Sequence, residues 1–188
     1  GVCRTPWWNQ ADSAARDAFE RTAALFLEAG AQVSTLELDS AFARLNEAQI
    51  TLSAYEFYRA LTHERTQHPE LISASLTGRI AAGGAVTRAQ YEQAHADTRR
   101  GKALIAASFS EFDILLAPST PGEAPDIAST GEPTFGLMWT LLGLPCLTLP
   151  CGFGPFRLPL GAQLVAASAD DRTLLRCASW AQQVLSGR

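Results

Sequence analysis

Three sets of residues in this chain have the right chemistry for covalent catalysis or metal binding: hydroxyls near a single lysine, three histidines and four cysteines. A serine-lysine hydrolase needs an amine close to its nucleophile, in surroundings that leave the amine able to accept a proton. The one lysine, Lys102, follows Arg99-Arg100-Gly101 in a helical stretch, and no glycine- and serine-rich loop is present to meet it. It reads as a solvated helical side chain. Ser119 and Thr120 open a proline- and glycine-rich loop at the end of an apolar run, where open α/β sheets commonly bind ligands. The plain alternative for both hydroxyls is a local turn hydrogen bond. His63 and His68 lie five residues apart, whereas helical metal ligands sit three or four apart, so these two and His95 read as surface positions. Cys3, Cys146, Cys151 and Cys177 form no CxxC pair and have no histidine nearby in sequence, so zinc is not expected. Their apolar settings suit reduced core thiols in a cytoplasmic protein. No GxSxG elbow, phosphate-binding loop or GxGxxG fingerprint occurs, and no serine is marked as part of a serine-histidine-carboxylate triad.

In composition, 47% of residues are hydrophobic and 18% charged, which places the chain among globular rather than disordered sequences. A formal charge of -4 with scattered arginines gives no reason to expect nucleic acid, which demands clustered cations. No apolar run reaches membrane-spanning length, so no membrane association is expected. At 188 residues the chain fits a single domain. It lacks a signal-peptide layout; it begins without Met and already reads as a strand, which suggests a piece of something longer.

The elements that would position these residues follow from periodicity and punctuation. Val2-Cys3 reads as a strand end. Asn9 or Asp12 caps a helix carrying Ala15, Phe19, Ala23 and Phe26, which Ala29-Gly30 closes, and Val33 to Leu38 suits a second strand. That order predicts a parallel βαβ unit. Residues 39–67 read as helical until His68-Pro69, and 71–82 as a shorter helix that Gly83-Gly84 breaks. Thr87 with Gln90 predicts a capping box at the start of a helix reaching about Ser110. The runs 114–117, 147–149 and 160–165 read as strands, the first two buried on both faces. A long loop spans 118–133, a short helix 138–142 and a closing helix 170–185. The expected class is α/β, with a mixed, mainly parallel sheet flanked by helices.

The stretch 112–164 then carries a resemblance. Phe112-Asp-Ile-Leu-Leu-Ala-Pro-Ser-Thr-Pro121, Thr130-Gly-Glu-Pro-Thr-Phe135, Trp139-Thr-Leu-Leu-Gly-Leu-Pro145, Leu147-Thr-Leu-Pro-Cys-Gly152 and Leu158-Pro-Leu-Gly-Ala-Gln-Leu164 resemble, in order and spacing, the C-terminal half of amidase signature hydrolases. The resemblance implies a parent that hydrolyses a carboxamide through an acyl-serine intermediate, using two serines and a lysine from an earlier segment, the serines in a Gly/Ser-rich signature. Nothing here matches that signature: the one Gly-Gly, Gly83-Gly84, is followed by alanine and valine. No catalytic residue is therefore assigned to these residues, and the resemblance implies no cofactor or metal.

Within the resemblance, Ser119, Thr120 and Trp139 are the candidates for a substrate-pocket wall. A large, rigid aromatic beside the proline loop suits an acyl or amide group; core packing is the alternative for Trp139. Gly136 stands where asparagine is frequent in the family and Met138 where proline is frequent. Gln163, in an otherwise apolar strand, needs a hydrogen-bond partner if buried. The partners implied are the missing N-terminal catalytic segment and a small-molecule amide. Self-association is expected where that segment leaves the sheet uncovered. The other reading is a non-catalytic binding or assembly module derived from an amidase.

Overall fold

The structure is a computed structural model that describes residues 1–187. Helix α1 (Ser13–Glu28) begins where the Asp12 carboxylate accepts the Ala15 N–H at 2.7 Å. It ends at Gly30, whose φ of 98° suits a residue without a Cβ. A 3-10 turn (Ser40–Arg44) leads into α2 (Leu45–Ala60) and, after a break at Leu61, α3 (Thr62–Gln67). Then come α4 (Ala74–Ala85) and α5 (Arg88–Ser108), the latter opened by the Thr87/Gln90 capping box. Strand β1 (Leu115–Pro118), helix α6 (Thr134–Leu142), strands β2 (Cys146–Phe153) and β3 (Pro159–Val165) and helix α7 (Asp171–Ser186) complete the order.

The three-stranded sheet is antiparallel, which corrects the expectation of a mainly parallel one. Its order is β1-β3-β2, with Leu116 and Leu147 lying opposite Leu164 from either side. For β2 and β3 the reason is connectivity: they are joined by the short turn 154–158, and short turns join antiparallel neighbours whereas parallel ones need a crossover. The predicted parallel βαβ unit survives only as single bridges, Val2 lying parallel to both Thr35 and Leu116.

Helices cover both faces of β1. Phe19, Ala23 and Phe26 of α1 and Leu174, Ala178 and Ala181 of α7 pack with Leu116, Ala162 and Leu164. On the opposite face Phe42, Leu45 of α2, Ile105 of α5 and Met138, Trp139 and Leu142 of α6 enclose Leu115, Ala117 and Val165. Alternate residues of β1 thus enter different cores, as the period-2 geometry of a strand requires. The expectation of double cover fails for β2, where Thr148, Pro150 and Phe153 are exposed and only Leu149 is buried.

Gly83-Gly84 does not break α4; the helix continues through both. A Cβ on Gly83 would collide with the Ala54 carbonyl oxygen, and one on Gly84 would come within 2.9 Å of the Tyr58 ring. The two glycines therefore serve the close approach of α4 to α2. Gly78, in the same helix, faces open space. Replacing Gly83 by Ala should cost about 1–3 kcal/mol, since backbone cannot yield cheaply. Gly78→Ala should instead stabilise by roughly 0.5–1 kcal/mol through helix propensity. Urea unfolding midpoints of the two variants, moving in opposite directions, check this.

Candidate functional site

The loop 119–133 leaves the buried end of β1 and folds over one end of the sheet, where it encloses a cleft of about 650 Å³. Its floor is where β2 and β3 run side by side, at Thr148, Pro150 and Gly161. Gly161 matters for a steric reason. A Cβ there would lie 2.6 Å from Thr148 Cγ2 and 2.7 Å from Ser119 Oγ, so the bare backbone lets loop and sheet close together.

Ser119 and Thr120 both line this cleft. Ser119 Oγ donates to the Gly161 carbonyl at 2.9 Å, and Thr120 Oγ1 donates to the Gly122 carbonyl at 2.9 Å. Each hydroxyl proton is committed to a neutral acceptor that cannot remove it, so neither oxygen is activated as a nucleophile. Each retains lone pairs that can accept a hydrogen bond from a ligand N–H.

Trp139 is not brought to the cleft. It is 1% exposed, within the core behind β1 and β3, beside Leu115, Ala117 and Val165. Its indole N–H is buried without a partner, as is the Gln163 Oε1, so the partner that Gln163 was expected to need is missing among the described residues. Gln163 stands between Ala117 of β1 and Thr148 of β2, on the same face as Gly161.

The other candidate chemistry lies elsewhere. Lys102 is exposed on α5, its Nζ 4.0 Å from where a Cβ on Gly143 would sit at the C-terminal end of α6. His63 and His68 make an edge contact with ring centroids 5.5 Å apart, and His95 packs edge-on to Tyr91 at 4.5 Å. None of the three lines the cleft. All four cysteines are free thiols. Burial raises all four thiols, Cys3 to about 12 and Cys146 to about 11. Among the described residues no group of three or more His, Cys, Asp or Glu is placed to hold a metal ion, and no helix is long and apolar enough to cross a membrane.

A residue of this site with no signal in the sequence is Glu123. Its carboxylate accepts the backbone N–H groups of Phe156 at 3.1 Å and Leu158 at 2.8 Å, joining the cleft loop to the β2–β3 turn. No local pattern marks such a pairing across more than thirty residues.

The family model for amidases matches residues 1–175. The chain belongs to the amidase family. Among curated relatives it is 32% identical over 130 residues to a chloroplastic/mitochondrial glutamyl-tRNA(Gln) amidotransferase subunit of Vitis vinifera, covering 63% of this chain and 24% of that protein. It is 37% identical over 110 residues to the corresponding glutamyl-tRNA(Gln) amidotransferase subunit of Thermus thermophilus, covering 55% of this chain and 23% of the relative. Among solved structures, the crystal structure of an amidase superposes with a TM-score of 0.84 at 26% identity, over 94% of this chain and 43% of that one. The 6-aminohexanoate cyclic dimer hydrolase shares the fold, with a TM-score of 0.80 at 16% identity over 99% of this chain and 44% of the hydrolase. The chain thus spans about a quarter of the length of these curated relatives.

The burial of Trp139 sets an expectation. Trp139→Ala should destabilise the fold by about 3–5 kcal/mol, the usual cost of emptying a large aromatic site. Trp139→Phe, which keeps a ring and removes the unpartnered N–H, should cost less. Chemical denaturation of both variants measures the difference.

Proposed function

We propose that this chain is the C-terminal portion of an amidase that hydrolyses a carboxamide C–N bond through an acyl-serine intermediate. The nucleophilic serine, the bridging serine and the lysine are supplied by polypeptide beyond these residues. The observation that carries the reading is the family match across residues 1–175. It is supported by a hydroxyl-bearing cleft in which neither Ser119 nor Thr120 faces a base.

In that reading the serine oxygen adds to the amide carbon as its proton passes towards the lysine. The C–N bond then breaks, and the departing amine takes up that proton. Water next adds to the acyl-serine and releases the carboxylic acid, restoring the serine. Backbone amides of the serine loop stabilise the oxyanion. This chain contributes the sheet, one wall of the pocket and the closing helix. Ser119 and Thr120, whose protons are already engaged, act on that wall as acceptors for the substrate amide N–H. The plant and Thermus relatives are named as amidotransferases. Amide transfer is a narrower form of the same acyl-enzyme chemistry.

The residues by themselves should not turn over simple amides. Assays of ammonia release from acetamide and benzamide are expected to stay at the uncatalysed rate. Turnover that a serine-reactive inhibitor abolishes while labelling a serine of this chain would overturn the proposal. The remaining polypeptide would also cover β2, whose outer edge pairs with no strand among the described residues. Phe153 and Phe156 beside it are 72% and 82% exposed. Left alone, such an edge favours association, and sedimentation velocity of the chain should reveal dimers or larger species that grow with concentration. A monomer at all concentrations would contradict this.

A further inference from the structure

The cleft loop is tied to other elements through its first half. Ser119 is bonded to β3 through the Gly161 carbonyl. The Asp12 N–H, at the head of α1, donates to the Pro121 carbonyl at 2.7 Å. Glu123 then grips the β2–β3 turn through the N–H groups of Phe156 and Leu158. Beyond it, the hydrogen bonds of 124–132 run within the segment: Ala128 and Ser129 to Asp126, and Gly131 to Ser129. Among the described residues, the next tie to another element is the Asn46 side chain, donating to the Thr134 carbonyl at 2.8 Å.

The turn is shaped to receive that carboxylate. Gly154 N–H donates to the Leu158 carbonyl, and Arg157 N–H to the Gly154 carbonyl, each at 3.0 Å. Arg157 adopts a left-handed φ of 62°. This curl points the Phe156 and Leu158 N–H groups at one spot, and the Glu123 carboxylate fills it. A side chain on Gly154 would overlap the carboxylate. A glycine at the base of the turn, two converging donors and a carboxylate reaching from another segment form one built contact. Both bonds are charge-assisted, the stronger kind.

We propose that Glu123 is a positioning residue: its carboxylate latches the β2–β3 turn to the cleft loop and holds the substrate wall preformed. It touches no reacting atom. By fixing the loop one residue before the 124–132 segment, it sets how far Ser119, Thr120 and that segment stand from the sheet floor at Thr148 and Gly161. The latch follows from the hydrogen bonds alone. Its bearing on amide binding rests on the function proposed above.

Amide hydrogen exchange followed by NMR tests the latch on the chain itself. In Glu123→Ala, exchange at Phe156 and Leu158 should quicken about tenfold or more, the scale of losing a charge-assisted bond. Ladder amides such as Leu164 should keep their rates. Glu123→Gln, with one acceptor and one donor in place of two acceptors, should restore protection at one of the two amides only. Unchanged exchange at both positions in Glu123→Ala, or an equal rise throughout the sheet, would overturn the latch. Benzamide titration then tests positioning. It should shift the Thr148 and Gly161 amides in the wild type, with at least about threefold weaker binding in Glu123→Ala, the scale of a modest loss of preorganisation. Equal binding by both proteins would overturn the positioning role. Absence of binding by the wild type would count against the amide-wall reading, while the exchange rates would still decide the latch.

Discussion

The register of β3 is the constraint from which the rest of the structure follows. Paired on both sides, β3 brings Leu116 and Leu147 against Leu164 on one face, and Ala117 and Thr148 against Gln163 on the other. A slip of one residue would exchange those faces, moving the leucines away from α1 and α7. It would also move Gly161 from beneath Ser119, and with it the position where the loop bonds directly to the sheet. Core and cleft are therefore set by the same pairing. The apolar row fixes the register strongly, and the cleft takes its geometry from that choice.

The layer between the sheet and α6 has a different character from the layer facing α1 and α7. The latter is apolar apart from Thr22, whose buried hydroxyl donates to the Ala18 carbonyl at 2.8 Å within α1. The former holds two buried polar atoms without partners, Gln163 Oε1 and Trp139 Nε1; between α2 and α6, Asn46 donates through Nδ2 to the Thr134 carbonyl while its Oδ1 has no partner. Each such atom costs about 1–3 kcal/mol relative to a satisfied one. Gln163 shares its face of the sheet with Thr148 and Gly161, the residues that floor the cleft. The unsatisfied polarity and the cleft thus lie on one side of the sheet.

Much of this architecture is legible in the sequence because it is locally encoded. Asp12, Gly30, the Thr87/Gln90 box and the proline after His68 each act within a few residues, and each helix end they mark falls where the pattern puts it. The features that escape a sequence reading depend on distant partners. Whether Gly83-Gly84 breaks a helix or admits a neighbour is decided by the Ala54 carbonyl, which no local pattern reveals. Strand direction escapes for a related reason: a doubly covered apolar run such as 115–117 looks the same whether its neighbours are parallel or antiparallel. The position of Ser119 and Thr120 on a strand-end loop is legible because Pro118 and Pro121 punctuate the apolar run before them. For Trp139 the sequence leaves two readings, pocket wall and core packing, because both carry the same signature, and burial separates them: the side chain is in the core.

The state of the cleft's hydroxyls bears most directly on chemistry. To attack a carbonyl, a serine must hand its proton to a base as the new bond forms, so its hydrogen bond before reaction points at that base. Ser119 points at a peptide carbonyl, which binds a proton far too weakly to serve, and the thiols that could substitute are held protonated by burial. The exposed Lys102 lies beside the end of α6 and does not line the cleft. What the cleft does offer is a set of fixed acceptors on a braced loop, one carboxylate already engaged and a backbone floor cleared by Gly161. Neither hydroxyl is aimed at a base, so under the proposed function the nucleophile and its proton acceptor come from other polypeptide.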